Sequence, residues 1–496
     1  MIKEYNKPTP IQIKSDTAAE KPIYIYHSKE KDKLLYSDSL IELLDFPEIK
    51  KPLKISSEGI SFLLQSGVVP PPRTVYEEIY IVSIGDTAKI TTTNDKIELR
   101  FSHKFPFQKS ARNPDSGYDV GYESILQKLF DATIKNVDKS KDSFIFHSAG
   151  KDSNPIALAI AEAGAQDQFT LVTHKTAGTG DESEISKSIA KRLGFKHIIL
   201  NEIENFEQTH TSAIKKHFTK APLPCTDNVS LAYPIYVAQQ PSLQECNIVD
   251  GMGSDVYIGH VPGKKENDRQ KLSRVLSKLN FLTKHIDSNN IIIPLIRTRA
   301  ECTGLSGFSS KDSGKIYNAH RDISSYWQSL SKNSRDYLDF RASVRGTVID
   351  TEIFMRKVRN FADAFNNNLI FPWTDETVVN HFMFMPERYL IDRKRLRNKV
   401  LIREMLKQRI DLDSDKIGKM GFSYNSSSMI EKNKKTIEFE ITSCTLWNNE
   451  AIKDFLSHAS KTKEKNTRSS QINSSLIYRL YLISAWHNNC QWLQKS

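Results

Sequence analysis

The rhythm of apolar positions changes twice along the chain. IYIYHSK (23–29) and IYIVSIGDTAKITTTNDKIELRF (79–101) are short apolar runs with alternation, and an Asn-Asp pair separates two of them, the pattern of strands joined by a tight turn. Residues 1–21 ahead of them are polar and interrupted by proline, so a small β-rich domain is predicted to end near residue 110. SARNPDSGYD (110–119) has the Pro, Gly, Asn and Asp of a linker. GYESILQKLFDATIKNV (121–137) then places Ile125, Leu126, Leu129 and Ile134 at helical spacing, and a second domain begins.

From 143 apolar runs alternate with helical stretches: SFIFHS, SNPIALAIAEAG, FTLVTH, DESEISKSIAKRLG and HIIL, followed by CNIVDG at 246–251. Ile185, Ile189 and Leu193 are spaced by four and face one way. This βαβαβ order predicts an α/β fold with an open parallel sheet and crossover helices. Beyond about 270 the pattern is mainly helical, with a loose basic loop expected at SKTKEKNTRSSQINSS (460–475).

At 496 residues the chain is too long for one ordinary core, which agrees with two or three domains. Apolar residues are 39% and charged residues 26%, a soluble globular balance, and no stretch approaches the roughly 18–20 apolar residues that span a bilayer. The N-terminus lacks an apolar core and cleavage site, so no signal peptide is expected and the cytoplasm is the default compartment. Five cysteines without a CxxC pair suit neither a disulfide framework nor a zinc site. The net charge of +11 is spread over the whole chain rather than gathered in one basic face, so nucleic acid is not the expected partner.

The sharpest local feature is Ser148-Ala149-Gly150-Lys151-Asp152-Ser153, between a predicted strand and a predicted helix. Small residues there let backbone N–H groups approach phosphate oxygens, and the helix N-terminus adds partial positive charge. Lys151 adds a charge, and Asp152, which bare phosphate would repel, suggests a bridging Mg²⁺. Ordinary serine and aspartate caps explain the same residues equally well, since the spacing is not that of a GxxxxGK[ST] loop.

SAGKDS nevertheless resembles the SGGxDS pyrophosphate loop of ATP pyrophosphatases, with Ala149 in place of the second glycine. Further segments resemble the asparagine synthetase-like group in the same order. These are SGVVPPPRTVYEEIYIVSIGD (66–86), DESEISKSIAKRLGFKH (181–197), NIVDGMGSDVYIGH (247–260), FPWTD (371–375), KVLIR (399–403) and KMGF (419–422). The resemblance implies a PP-loop ATP pyrophosphatase domain over 120–496, helical from about 270, preceded by a truncated glutaminase-like β-rich domain over 1–110. It also implies an activity: a substrate carboxylate attacks the α-phosphorus of ATP, pyrophosphate leaves, and a nitrogen nucleophile attacks the acyl-adenylate.

On this resemblance Ser148, Gly150, Lys151, Asp152 and Ser153 hold pyrophosphate, Gly251 belongs to the Gly-x-Gly-x-Asp motif, and Asp152 and Asp255 hold Mg²⁺. Lys399 lies against the α-phosphate, where fixed positive charge can contribute on the order of 3 kcal/mol. Lys419 is a further pyrophosphate contact, and Val172 lines the adenine site. Outside the resemblance, Lys399 reads as a solvated lysine and Val172 as a core valine.

The departures change the expected substrate. Ile2 stands where glutamine-dependent members carry a nucleophilic cysteine, so nitrogen is expected from free ammonia, a partner glutaminase or a substrate amine. Met252 and Val256 replace two acids of the motif, and Asn368 and Ile370 replace a Glu-x-Arg, which argues against aspartate as the substrate. The form GMGSDVYIG is closer to the β-lactam synthetase branch, with Met252 at its tyrosine position. Glu352 in IDTEIF is the candidate to act on the incoming amine, with Tyr257 and His260 as nearby substitutes; a surface helix glutamate is the alternative reading. Two other functions compete, a non-catalytic ATP-binding subunit and a tRNA-modifying pyrophosphatase.

Overall fold

A computed structural model describes the chain except for residues 6–8, 19, 106–111, 114–116, 177–179, 334, 419–423, 464–467 and 495–496. The N-terminal part forms two antiparallel sheets. Strands β1 (Lys3–Glu4), β3 (Ile23–His27), β4 (Leu34–Ser37) and β5 (Ile79–Val82) make one sheet in the order β1-β4-β3-β5. Strands β2 (Ile11–Lys14), β6 (Asp86–Thr93) and β7 (Lys96–His103) make the other. The Asn94-Asp95 turn joins β6 to β7 with φ of 49° and 62°, the left-handed pair that a tight hairpin requires. Alternation sorts the faces. Ile25 packs with Ile13, Val82, Ala88 and Ile90 between the two sheets, whereas Tyr24 and Tyr26 turn to the core shared with the rest of the chain.

The helix Tyr122–Ile134 follows, burying Ile125, Leu126 and Leu129 as its spacing predicts. The second sheet system is parallel throughout: β8 (Ser143–Phe146), β9 (Thr170–Lys175), β10 (Lys196–Asn201), β11 (Asn247–Val249) and β12 (Asn368–Ile370), in the order β10-β9-β8-β11-β12. The mixed α/β class is therefore as predicted. β12 is an addition: NLI is too short to stand out in a helical region and becomes a strand by pairing Ile248 with Leu369.

The order places β8 in the middle, with β9 on one side and β11 on the other. The chain leaves β8 and β11 at a point where successive connections diverge, and open parallel sheets form their ligand crevices at such points. Helices dominate after Ser254, and the segment Arg345–Met355 is wound as a π-helix, a geometry concentrated at functional sites. A two-residue pairing of β13 (Ile391–Asp392) with β14 (Arg397–Asn398) delivers the chain to the helix Val400–Ile410.

The loose loop expected at 460–475 is corrected. Residues up to Lys463 end one helix, and Arg468–Asn489 form another. The second buries Leu476, Tyr478, Leu480, Tyr481 and Trp486, and this packing carries its serine-rich first turns into helix despite their composition. All five cysteines are free and buried. No helix among the described residues is long and apolar enough to cross a membrane.

Candidate functional site

A cavity of about 330 Å³ opens over the ends of β8, β9 and β11. Its floor is the loop between β8 and the helix Ser153–Glu162. The Ser148 hydroxyl accepts the Gly150 N–H (3.0 Å), the Ser153 hydroxyl accepts the Ser148 N–H (3.2 Å), and the Asn154 amide donates to the carbonyls of Ser148 (2.9 Å) and Gly150 (2.6 Å). Asn154 is in turn held by His147, whose other ring nitrogen meets the Ser186 hydroxyl. Burial lowers His147 to about 4, so it is a neutral strut beneath the loop.

Three distant segments converge on this loop. Lys399 donates to Asp152 and to the Ser254 hydroxyl (3.0 Å), and pairs with Asp255 at 2.7 Å. Ser254 also donates to Asp152. Burial alone would depress the Lys399 ammonium, which is only 2% exposed, but the two carboxylates hold its pKa well above the ordinary value. Burial likewise works against an ionised Asp255, and Lys399 and His260 outweigh it, so its carboxyl lies far below its ordinary value. Lys399 sits at φ 55° as the residue capping Val400–Ile410, which turns its side chain out of the helix and under the cavity. Gly251 is required for the closeness of this packing: a Cβ there would stand 3.0 Å from the Asp152 carbonyl carbon and 3.1 Å from its Cβ. The FPWTD segment closes the far side, with the Trp373 indole donating to the Asp152 carbonyl (2.8 Å). Its aspartate, Asp375, caps the helix Glu376–Phe384 and pairs with Lys135.

No family model matches the chain. No curated protein matches it either.

The residues expected from the sequence are distributed unevenly. Ser148, Gly150, Asp152, Ser153, Val172, Gly251 and Asp255 all line the cavity, and Lys399 lies directly beneath it. Lys151 is partly buried beside Lys399 and Arg403; burial first, then these neighbours, lower its pKa. Lys419 lies outside the described residues. Glu352 is not brought to the cavity. It pairs with Arg356 (2.9 Å) and faces a separate crevice with Val69, Thr74 and Leu223, because its side of the segment meets the antiparallel part of the chain. Of its two substitutes, His260 approaches Asp255 at 3.8 Å, while Tyr257 is buried in a small apolar cluster with Phe105 and Val379.

Several residues that line the cavity were not singled out from the sequence. Asp250 is 4% exposed; burial pushes it up to about 6 although the Met252 N–H donates to it (2.9 Å). Asp350, on the π-helical segment, is 5% exposed and is also pushed up to about 6 by burial, against the pull of Arg345 at 3.6 Å. Glu182 accepts the Ala149 N–H (2.9 Å), and burial raises its pKa. Phe146, Tyr233, Tyr236 and Phe354 give the cavity an apolar wall, joined by Met252, which the sequence had marked as a departure from the motif. Asp250 and Ser254 lie inside the quoted NIVDGMGSDVYIGH segment and were legible there; Asp350 carried no signal beyond standing two residues before Glu352.

Among the described residues no group of three or more His, Cys, Asp or Glu side chains gathers to hold a metal ion. Asp152 and Asp255 do converge on a single cationic atom, the Lys399 Nζ, with the Ser254 hydroxyl beside it. That point is taken by the Lys399 ammonium, so a Mg²⁺ would have to be held by the other oxygens of Asp152 and Asp255, where it would supply positive charge to a phosphate.

Proposed function

We propose that the chain is an ATP-dependent, amide-forming ligase of the asparagine synthetase-like, PP-loop type, acting on a carboxylate other than aspartate. The observation that carries this reading is the convergence of Asp152, Asp255 and Lys399 beneath the loop Ser148–Ser153, from three segments separated by about a hundred residues or more in sequence. A buried lysine held between two half-buried acids is costly unless it is put to use. Here they border a cavity of the size of small-molecule sites, at the place where parallel sheets hold ligands.

The roles follow from position. The N–H groups that open the helix Ser153–Glu162, with the Ser148 and Ser153 hydroxyls, bind the β- and γ-phosphates as anions at a helix N-terminus. Val172, Thr173 and His174, at the end of β9, border the nucleoside, and Phe146 and Tyr236 supply apolar faces for it. Asp152 and Asp255 would hold Mg²⁺, which neutralises phosphate charge when bound. The substrate carboxylate oxygen forms a bond to the α-phosphorus as the bond to pyrophosphate breaks, and Lys399 stabilises the negative charge on the α-phosphate oxygens during that exchange. In the second half a nitrogen nucleophile bonds to the acyl carbon, loses a proton, and AMP leaves.

The test supplies Mg²⁺-ATP, a fractionated pool of carboxylic acids and ammonia, and reads the nucleotide products. AMP and pyrophosphate that vanish in Asp152→Ala support the ligase. Tight ATP binding with no product in any fraction moves the chain to a regulatory ATP-binding subunit instead.

A further inference from the structure

The cavity wall holds a carboxylate oxygen without a hydrogen-bond partner. Asp350 is 95% buried and lines the cavity from the π-helical segment beside Phe354. Its Oδ2 has no hydrogen-bond partner among the described residues, and its Oδ1 is 3.6 Å from Arg345, beyond hydrogen-bond distance. The neighbouring cations, Arg345 included, make their hydrogen bonds to other groups. Arg345 donates to the Thr303 carbonyl (2.8 Å), Lys399 is held by Asp152 and Asp255, and Arg341 is bound to Glu266 and the Thr303 carbonyl. A buried carboxylate oxygen left unpaired is destabilising, and the chain retains it at the cavity wall.

We propose that Asp350 is the receptor for a cationic N–H donor, ammonium or a primary ammonium group, and so selects the nitrogen donor of the amide step. This rests on the ligase reading for its place in the reaction, but the binding does not depend on it. An anionic group would be repelled there by Asp350 and Asp250 together, and a neutral acceptor would leave Oδ2 unpaired. Asp350 stands close enough to Asp255 and Lys399 to feel both charges, and Met252, Gly253 and Asp255 follow β11, whereas Val172, Thr173 and His174 belong to β9. Met252 and Phe354 add uncharged wall to the cavity, which suits the carbon skeleton of an amine better than a second polar group.

The experiment measures melting temperature of the full chain and of Asp350→Asn, which keeps the side-chain shape and removes the charge. Ammonium chloride, ethylammonium chloride and tetramethylammonium chloride are each compared with potassium chloride at equal ionic strength, with and without Mg²⁺-ATP. The expected result is a rise of about 1–2 °C at roughly ten times the dissociation constant, lost in the variant. A rise with ammonium only identifies free ammonia as the donor, and a larger rise with ethylammonium identifies an amine carried on a substrate. No rise in the wild type, an equal rise in Asp350→Asn, or an equal rise with tetramethylammonium, which has no N–H, overturns the proposal. Failure of the ligase reading is separate: it shows as no Mg²⁺-ATP shift in the wild type, while the nucleotide-free arms still decide Asp350.

Discussion

Asp350 and Glu352 stand two residues apart on one helical segment and face two different kinds of crevice. Glu352 is bound by Arg356, which also donates to the Tyr24 hydroxyl (3.0 Å) of β3, so this pair fastens the helical part of the chain to the antiparallel part. Lys357 pairs with Asp227 at 3.3 Å in the same neighbourhood. On that side each named charge has a protein partner, and burial is tolerated because the pairing is complete. On the Asp350 side the Lys399 ammonium serves two carboxylates at once, and Asp350 keeps one oxygen unpaired. A closed set of ion pairs fixes structure, whereas an incomplete one beside a cavity leaves room for a ligand to complete it.

The strongest way to break this contrast is to remove an acid on the cavity side. Asp152→Asn should lower AMP formation by about 100-fold or more, because it removes the charge that Lys399 and the expected cation share. Its side chain is 40% exposed, so the fold should persist, and circular dichroism beside the product assay checks both. An unchanged rate would dissolve the site. The opposite pattern is expected of Glu352→Ala, which leaves Arg356 buried without its carboxylate. Urea unfolding should show a loss of about 3 kcal/mol, while nucleotide turnover per folded molecule changes far less. Loss of amide product at unchanged stability would return Glu352 to the reaction.

Glu352 also marks the limit of what the sequence made legible. Local pattern sufficed where a run of residues carries its own instruction. The β6–β7 turn, the strands β8 to β11 and the loop opening at Ser148 follow from alternation, strand-helix order and small residues between them. Linear proximity could not say which of two carboxylates on one segment faces the cavity, since in a π-helix the facing depends on a winding that no spacing rule anticipates. β12 was missed because three residues acquire strand character only from pairing with β11. The serine-rich turns after Arg468 were taken for a loop because their helicity comes from the buried residues that follow them. His147, Asn154, Thr173 and Ser186 lie in recognised strands and helices, and only the fold joins them into a network under the loop.

Protonation gives a finer test. Asp350 rises from an ordinary 3.8 to about 6 on folding, so the folded state holds its proton more tightly than the unfolded chain. The stability this contributes is complete below about pH 4 and is lost as pH rises through 6, where the buried carboxyl must ionise. Asp350→Asn, free of amine and nucleotide, should therefore be more stable than the wild type at about pH 8, by at most about 3 kcal/mol in urea unfolding. The advantage should shrink to little at about pH 4. A variant that gains nothing at high pH would mean that the carboxylate is already compensated within the protein, and would bring Asp350 into line with Glu352.

The smallest effect is expected at Ala149, the one change within the loop itself. Its φ is not in the left-handed region, so the backbone there does not require glycine, and its N–H still reaches Glu182. Ala149→Gly should cost less than about 1 kcal/mol of stability, through the greater freedom of the unfolded chain, and leave nucleotide affinity within a few-fold. A large gain in affinity would show that the methyl group, 95% buried against the loop, narrows the phosphate cradle, and that the cavity side is held closed by packing as well as by charge.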